Sequence, residues 1–393
     1  MTEPSQPIPP DPVPPGQGAV RYYRAPLGDV FGAEVVELDA PADPAPPPLR
    51  ASRVELVLEA DGDVREARRL SCAASPGRRA GASGDDDRAP LAPAPANGTA
   101  NGTAGTAFAM LDNEILAGVR LARLNANGPY PAEVTELIGY EADSASPVAF
   151  LEPPRGEPVG RHAGRMLLAQ HKNFQTSLLK GVLQLTGAGI AHRRIGPDTV
   201  YWDGSTAQVT DFSQAALIGT ARTVTGEPPW QAPEQRPGRV AGTVGDRDDL
   251  WAAGRLIFYV VTGRELRSAA QLEEHPELAR RLAGVFARAE RRPPVAEVLE
   301  RFGGTAPIRL LGPDPEFEAG RKRFTDQRRS KHPGAVPPEP SEPEAEPEAK
   351  PPPPPSPEKE PAANGSRPGG AAVLLWLAAA ALLLVTGYLA FGR

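Results

Sequence analysis

The chain has 393 residues, 48 of them proline and 40 glycine, and a formal net charge of -6. That length exceeds one ordinary domain, but the Pro- and Gly-rich share cannot pack, so composition predicts one globular unit with disordered attachments. The acidic balance argues against a nucleic-acid partner, which needs a clustered positive surface; the single cysteine, Cys72, excludes an internal disulfide framework and suggests a reducing compartment, and five scattered histidines offer no zinc-ligand spacing.

Residues 1–18, MTEPSQPIPPDPVPPGQG, lack the basic start and apolar run of a secretory signal and read as a disordered arm. Val30 to Leu38 and Arg53 to Glu59 are short, Val-rich and partly alternating, as half-buried strands are. Residues 75–106, with GDDD and repeated NGT, read as a flexible low-complexity insertion. Helices are predicted over Ala107 to Leu124 and His171 to Leu185. In the second, Phe174, Leu178, Val182 and Leu185 share one face. Two strand-like runs then meet near Asp203-Gly204, a dipeptide suited to a tight hairpin. Asp249 to Thr262, DLWAAGRLIFYVVT, is apolar almost all round and belongs at the centre of a core.

Past residue 310 the composition changes. The run GRKRFTDQRRSKH, residues 320–332, is basic and reads as a solvated face at the start of a linker over 311–370. Within it, Pro333 to Gly370 is rich in proline and glutamate, and as an extended tether could reach on the order of 100 Å. Ala371 to Gly392 is an uncharged apolar run whose helix would be about 33 Å long, enough to span a bilayer. With Lys350, Lys359 and Arg367 on its N-terminal side, the simplest topology is a single-pass C-terminal anchor in the membrane, with residues 1–370 cytoplasmic.

Five segments carry a resemblance. HRRIGPDTV (192–200), DFS (211–213), GEPPWQAPE (226–234), DLWAAGRLIFYVVTG (249–263) and RRPPVAEVL (291–299) are similar, in order and spacing, to the C-terminal lobe of bacterial eukaryotic-type Ser/Thr protein kinases. The resemblance covers 150–310 well and 19–150 poorly. It implies an α+β, bilobal kinase-like fold, with a small β-rich lobe over 19–150 and a larger helical lobe over 151–310, here joined to the single transmembrane helix at 371–392.

The same resemblance implies a damaged active site. Where such kinases read H-R-D-L-K-P-x-N, this chain keeps His192 and Arg193 but has Arg194 for the catalytic Asp, Gly196 for the Lys and Thr199 for the Asn. Arginine cannot act as a base at physiological pH, because its pKa exceeds about 12; Asp198 lies nearby in sequence but four residues downstream. Asp211 matches the magnesium-binding Asp and Glu114 the glutamate of the first lobe's helix. Gly28 and Gly32 are the remnant of a glycine-rich loop. No lysine precedes Lys172, so Arg68 or Arg69 is the candidate for the nucleotide-holding strand position.

Architectural positions match instead: Glu234 with Arg292 as a buried ion pair, and Asp249 as a cap on the catalytic-loop backbone. Glu227, where a threonine is usual, stands opposite Arg194, and the reversed charges predict a partly buried ion pair between them that locks the segment where substrate would otherwise bind. The reading is a membrane-tethered pseudokinase that binds or scaffolds, with no cofactor or at most weakly held ATP and magnesium. Its implied partners are an active kinase and a phosphothreonine-reading domain, with Thr220, Thr223 and Thr225 as acceptors. The alternatives are an active Ser/Thr kinase with displaced catalytic residues, and a structural membrane tether that binds no nucleotide.

Overall fold

Alternation along the N-terminal strands sorts their side chains between two environments. The computed structural model describes residues 19–41, 44–72, 99–144, 146–312 and 315–331, all within one compact unit, residues 1–337. Six strands are β1 (Arg21–Arg24), β2 (Val30–Glu37), β3 (Leu49–Leu58), β4 (Val64–Cys72), β5 (Leu137–Glu141) and β6 (Val148–Leu151). All pairings are antiparallel, in the order β1-β2-β3-β4-β6-β5, and the sheet closes on itself where Arg24 of β1 pairs with Tyr140 of β5.

Inside the barrel, Tyr23, Ala33, Val54, Leu56, Ala67 and Phe150 form one buried cluster. The opposite parity on β4 and β6, Leu70, Ala149 and Leu151, packs outward beneath α1 (Thr99–Leu124) against Leu111, Ile115 and Val119. Period two therefore fixes a distinction that matters for the site: Arg68, one residue from the inward Ala67, sits on the face that meets α1, and Arg69 sits on the barrel side.

The rest of the unit is mainly helical. Helix α2 (Leu168–Gly187) buries Phe174, Leu178, Val182 and Leu185, the face that its apolar spacing predicts. Helix α3 (Asp248–Thr262) buries Leu250, Ala253, Leu256, Ile257, Phe258 and Val260 in the same core and ends at Gly263, whose φ of 71° suits a left-handed cap. Short strands β7 (Glu157–Pro158), β8 (Ile190–Ala191), β9 (Val200–Trp202), β10 (Ala207–Val209) and β11 (Ala216–Leu217) form two small antiparallel sheets, β10-β9-β7 and β11-β8. Between β9 and β10 the chain turns at the expected dipeptide: Asp203 Oδ1 accepts from the Ser205 and Thr206 amides, and Gly204 takes φ 101°. Helices α4 (Ala269–Glu273), α5 (Pro276–Arg281) and α6 (Val295–Arg301) complete this part. The basic run then forms α7 (Pro315–Lys331), whose Phe317 packs beside the Arg120 and Arg123 guanidinium groups of α1.

Two expectations are corrected here. The bilobal kinase-like fold with a transmembrane helix is not what the chain builds: its N-terminal strands close into a six-stranded antiparallel barrel, because β1 pairs with both β2 and β5. Among the described residues no helix is long and apolar enough to cross a membrane. The span expected at 371–392 lies outside the described residues, so the single-pass anchor and the cytoplasmic placement of residues 1–370 are withdrawn. The expected arm at 1–18, most of the insertion at 75–106 and the Pro/Glu-rich linker from 332 onward also lie outside them.

Candidate functional site

The loop from His192 to Thr199 is held from below by α3. Asp249, buried in the first turn of that helix, accepts the His192 amide on Oδ2 and the Arg193 amide on Oδ1, each at 2.7 Å. Burial pushes the Asp249 carboxyl above its ordinary range, while His192 and the two amides pull the other way. The His192 ring is fully enclosed: Nδ1 accepts the Arg194 amide at 3.1 Å, so Nε2 carries the proton donated to the Thr210 carbonyl at 2.8 Å. Burial lowers its pKa, consistent with a neutral ring that braces the loop. The cap expected of Asp249 is thus present in the geometry.

Arg193 takes φ 67° and Asp211 φ 62°, the only two non-glycine residues in the left-handed region among those described. Such conformations persist where the surroundings over-determine them. They turn the two side chains in different directions. The Arg193 guanidinium donates to Thr223, to its carbonyl at 2.9 Å and its hydroxyl at 2.6 Å. The Asp211 carboxylate turns to Arg194, whose Nη1 makes a direct ion pair with Oδ2. The other terminal nitrogen of Arg194 lies 3.4 Å from Glu227 Oε1. The pair anticipated between Arg194 and Glu227 therefore exists, but Glu227 is 71 % exposed while Asp211 is 10 % exposed. Desolvation makes the Asp211 contact the stronger of the two.

Behind Asp211 stands Glu114, on the face of α1 that meets the barrel. It is wholly buried, and neither of its oxygens makes a close hydrogen bond. Burial, and then the neighbouring Asp211 charge, push its pKa up to about 8, against a smaller opposing effect of Arg68. Of the two arginines considered for the strand position, Arg68 is the one beside Glu114. It is 5 % exposed and also donates to the Pro44 carbonyl at 2.8 Å. Arg69 pairs instead with Glu37. Asn113 of α1 donates to the Ser213 carbonyl at 2.8 Å, fastening the helix to the segment that carries Asp211.

The other substituted positions serve the loop itself. Thr199 Oγ1 donates to the Arg194 carbonyl at 2.8 Å and accepts the Gly196 amide at 3.0 Å, which commits the hydroxyl to backbone. Gly196 faces Trp230, whose ring a Cβ would meet at an ordinary 3.5 Å. Around them lies a small pocket of about 60 Å³, lined by Arg194, Gly196, Asp198, Glu227, Trp230 and Gln231. Asp198 is exposed at its rim. The two N-terminal glycines lie on the β1–β2 hairpin. Gly28 occupies its turn at φ 109°, and Gly32 lies within β2, where a Cβ would strike the Glu59 carboxylate. A turn and a close approach account for both.

A magnesium site does not fit this donor set. Asp211 is neutralised by a guanidinium, Glu114 is protonated at neutral pH, and the Thr199 hydroxyl is consumed by the loop. Among the described residues no group of three or more His, Cys, Asp or Glu side chains is arranged to hold a metal ion.

The architectural pair is present as a buried clamp. Arg292, with no exposed side-chain surface, places Nη1 2.7 Å from Glu234 Oε1 and donates from Nη2 to Oε2 at 2.9 Å. Its Nε donates to the Ala287 carbonyl, and Nη1 donates also to the carbonyls of Arg247 and Asp248. A second buried pair was missed in the sequence: Arg222 grips Asp248 at 2.6 and 3.0 Å, with side chains 7 % and 1 % exposed. Arg222 looks like any other arginine of an Arg-rich chain, but the doubled acid at 248–249 opening an apolar helix was a readable signal. Of the three candidate threonines, Thr220 donates to the Leu217 carbonyl at 2.7 Å, Thr225 bonds to Gln214, and Thr223 is exposed beside Arg193.

No family model matches the chain, and no curated protein matches it either. Neither comparison identifies the kinase family that its motifs resemble.

Proposed function

We propose that this chain is a non-catalytic binding module, a pseudokinase in the chemical sense: it keeps a phosphotransferase-like loop and transfers no phosphate. The observation that carries this reading is the ion pair between Arg194 and Asp211. A general base must accept a proton from the attacking hydroxyl, and a guanidinium has no free lone pair with which to do so at physiological pH. Here it stands where the base is expected and also neutralises the carboxylate best placed for a cation. Glu114 cannot replace either group, since it is sealed from solvent and holds its own proton.

What remains is a rigid, well-fastened surface suited to recognition. The segment from Thr220 to Gln235 is tied down by Arg193, Arg222, Gln214 and Arg292, and Thr223 is exposed on it. Its proposed partners are an active kinase that phosphorylates this segment and a domain that reads the phosphothreonine. The test is phosphate transfer by the purified full chain, with ATP and magnesium, to itself and to a generic basic protein. The account predicts none. Incorporation that Asp211→Asn abolishes would restore the enzyme reading.

A further inference from the structure

Helix α1 covers the outward side chains of β4 and β6, but those of β1, β2 and the second half of β3 lie open. Period two sends Ala33, Val54, Leu56 and Ala67 into the barrel and so turns Tyr22, Val30, Val36, Val57 and Val64 the other way. The solvent side of such a sheet ordinarily carries polar residues. Here Tyr22 is 63 % exposed, and Val30 and Val64 are each more than half exposed. Register makes these side chains neighbours: Tyr22 pairs with Gly32, Val57 with Val64 and with Glu34, and Val36 with Glu55. They form one face, in which valines alternate with carboxylates along the strands, and a contiguous face of this kind marks a contact surface where a lone exposed valine would not.

The charges set among these valines are mostly negative. Glu55 and Glu59 flank Val57, and Gly32 leaves room for the second of them: a Cβ there would strike the Glu59 carboxylate and lie 3.1 Å from the Tyr22 ring, so acid and ring meet over the glycine. The Glu59 charge, and then its hydrogen bond with the Tyr22 hydroxyl, raise the tyrosine's pKa. The ion pairs of these strands, Arg53 with Glu66, Arg65 with Glu136 and Arg69 with Glu37, leave Glu55 and Glu59 without one among the described residues. Asp61 and Asp63, exposed in the β3–β4 turn, add two more negative charges beside Glu59, while Arg24 stands at the far end of the face, opposite Val30. An acidic surface repels nucleic acid and anionic lipid alike. It attracts a basic protein segment, and a carboxylate beside an exposed aromatic ring suits a guanidinium.

We propose that the outer face of β1, β2 and β3 docks a basic amphipathic segment of a partner protein, its cations on Glu55 and Glu59 and its apolar side chains on Tyr22, Val30 and Val57. This surface is separate from the loop around Arg194 and does not depend on how that loop is read. The test is fluorescence anisotropy of the full chain with a labelled amphipathic helical peptide of arginine and leucine, alongside the same peptide with glutamate for arginine. Saturable micromolar binding of the basic peptide is expected, weakened by salt, and none of the acidic one. Tyr22→Ser, and separately Glu55→Gln with Glu59→Gln, should each weaken the basic peptide about tenfold. Glu273→Gln with Glu300→Gln, which removes the same charge from exposed positions on α4 and α6, should leave its affinity unchanged. No saturable binding below millimolar concentration, unchanged affinity in the face variants, or an equal loss in the α4 and α6 variant would overturn the proposal. So would sedimentation of the full chain as a dimer that Tyr22→Ser dissociates, which would give the face to a second copy.

Discussion

Glu114 is a carboxyl whose ionisation folding opposes. Its carboxyl is fully enclosed and its pKa rises from an ordinary 4.5 to about 8. The folded chain thus binds one more proton than the unfolded chain between those values, and by linkage its stability falls as pH rises through that window. The slope is about 1.4 kcal/mol per pH unit, and the whole window amounts to about 5 kcal/mol, a large part of a typical domain's total stability. Glutamine keeps the shape of the protonated acid and cannot ionise. Glu114→Gln should therefore cost little at about pH 5 and gain steadily on the wild type up to about pH 8, with no further gain above about pH 9. Urea unfolding of both proteins across that range isolates the effect of Glu114 together with its interaction with Asp211, because groups that do not interact with Glu114 cancel in the difference. If the two stability profiles run parallel, the carboxyl does not change its ionisation on folding, and the picture of a proton trapped beside Asp211 is wrong.

Two further outcomes follow from the buried polar contacts. Arg292→Met, which strands the Glu234 carboxylate and frees three carbonyls, should destabilise the chain by about 3–5 kcal/mol in chemical denaturation; a loss below about 1 kcal/mol would mean that the pair is solvated. Asp249→Ala leaves the His192 and Arg193 amides buried without an acceptor and should cost about 3 kcal/mol. It should also speed hydrogen exchange at those two amides beyond what global unfolding explains.

The parts of this account that were legible in the sequence are those set by local periodicity or by a doubled charge. Spacings of four and three residues placed Phe174, Leu178, Val182 and Leu185 on the buried face of α2, and unbroken apolarity placed α3 in the core. The reversed charges at 194 and 227 pointed to each other across 33 residues; the 3.4 Å separation agrees, but the expected burial does not, because Glu227 is 71 % exposed. What periodicity cannot supply is the identity of a partner. The closure of β1 on β5 joins residues more than a hundred positions apart through one pairing, and nothing in either strand announces it. Arg68 and Arg69 are chemically identical neighbours, and only the direction of the pleat decides that one meets Glu114 and the other Glu37. Asp211 was read as a metal ligand because its own residue type allows that; its capture by Arg194 depends on the left-handed turn at φ 62°.

The central claim is that Arg194 holds the position a cation and nucleotide would need at Asp211. The direct measurement is the melting temperature of the full chain against ATP with magnesium, compared with ATP and a chelator. The account predicts one unchanged melting temperature in both titrations at millimolar ATP. A magnesium-dependent rise that grows with ATP and disappears in Asp211→Asn would contradict it.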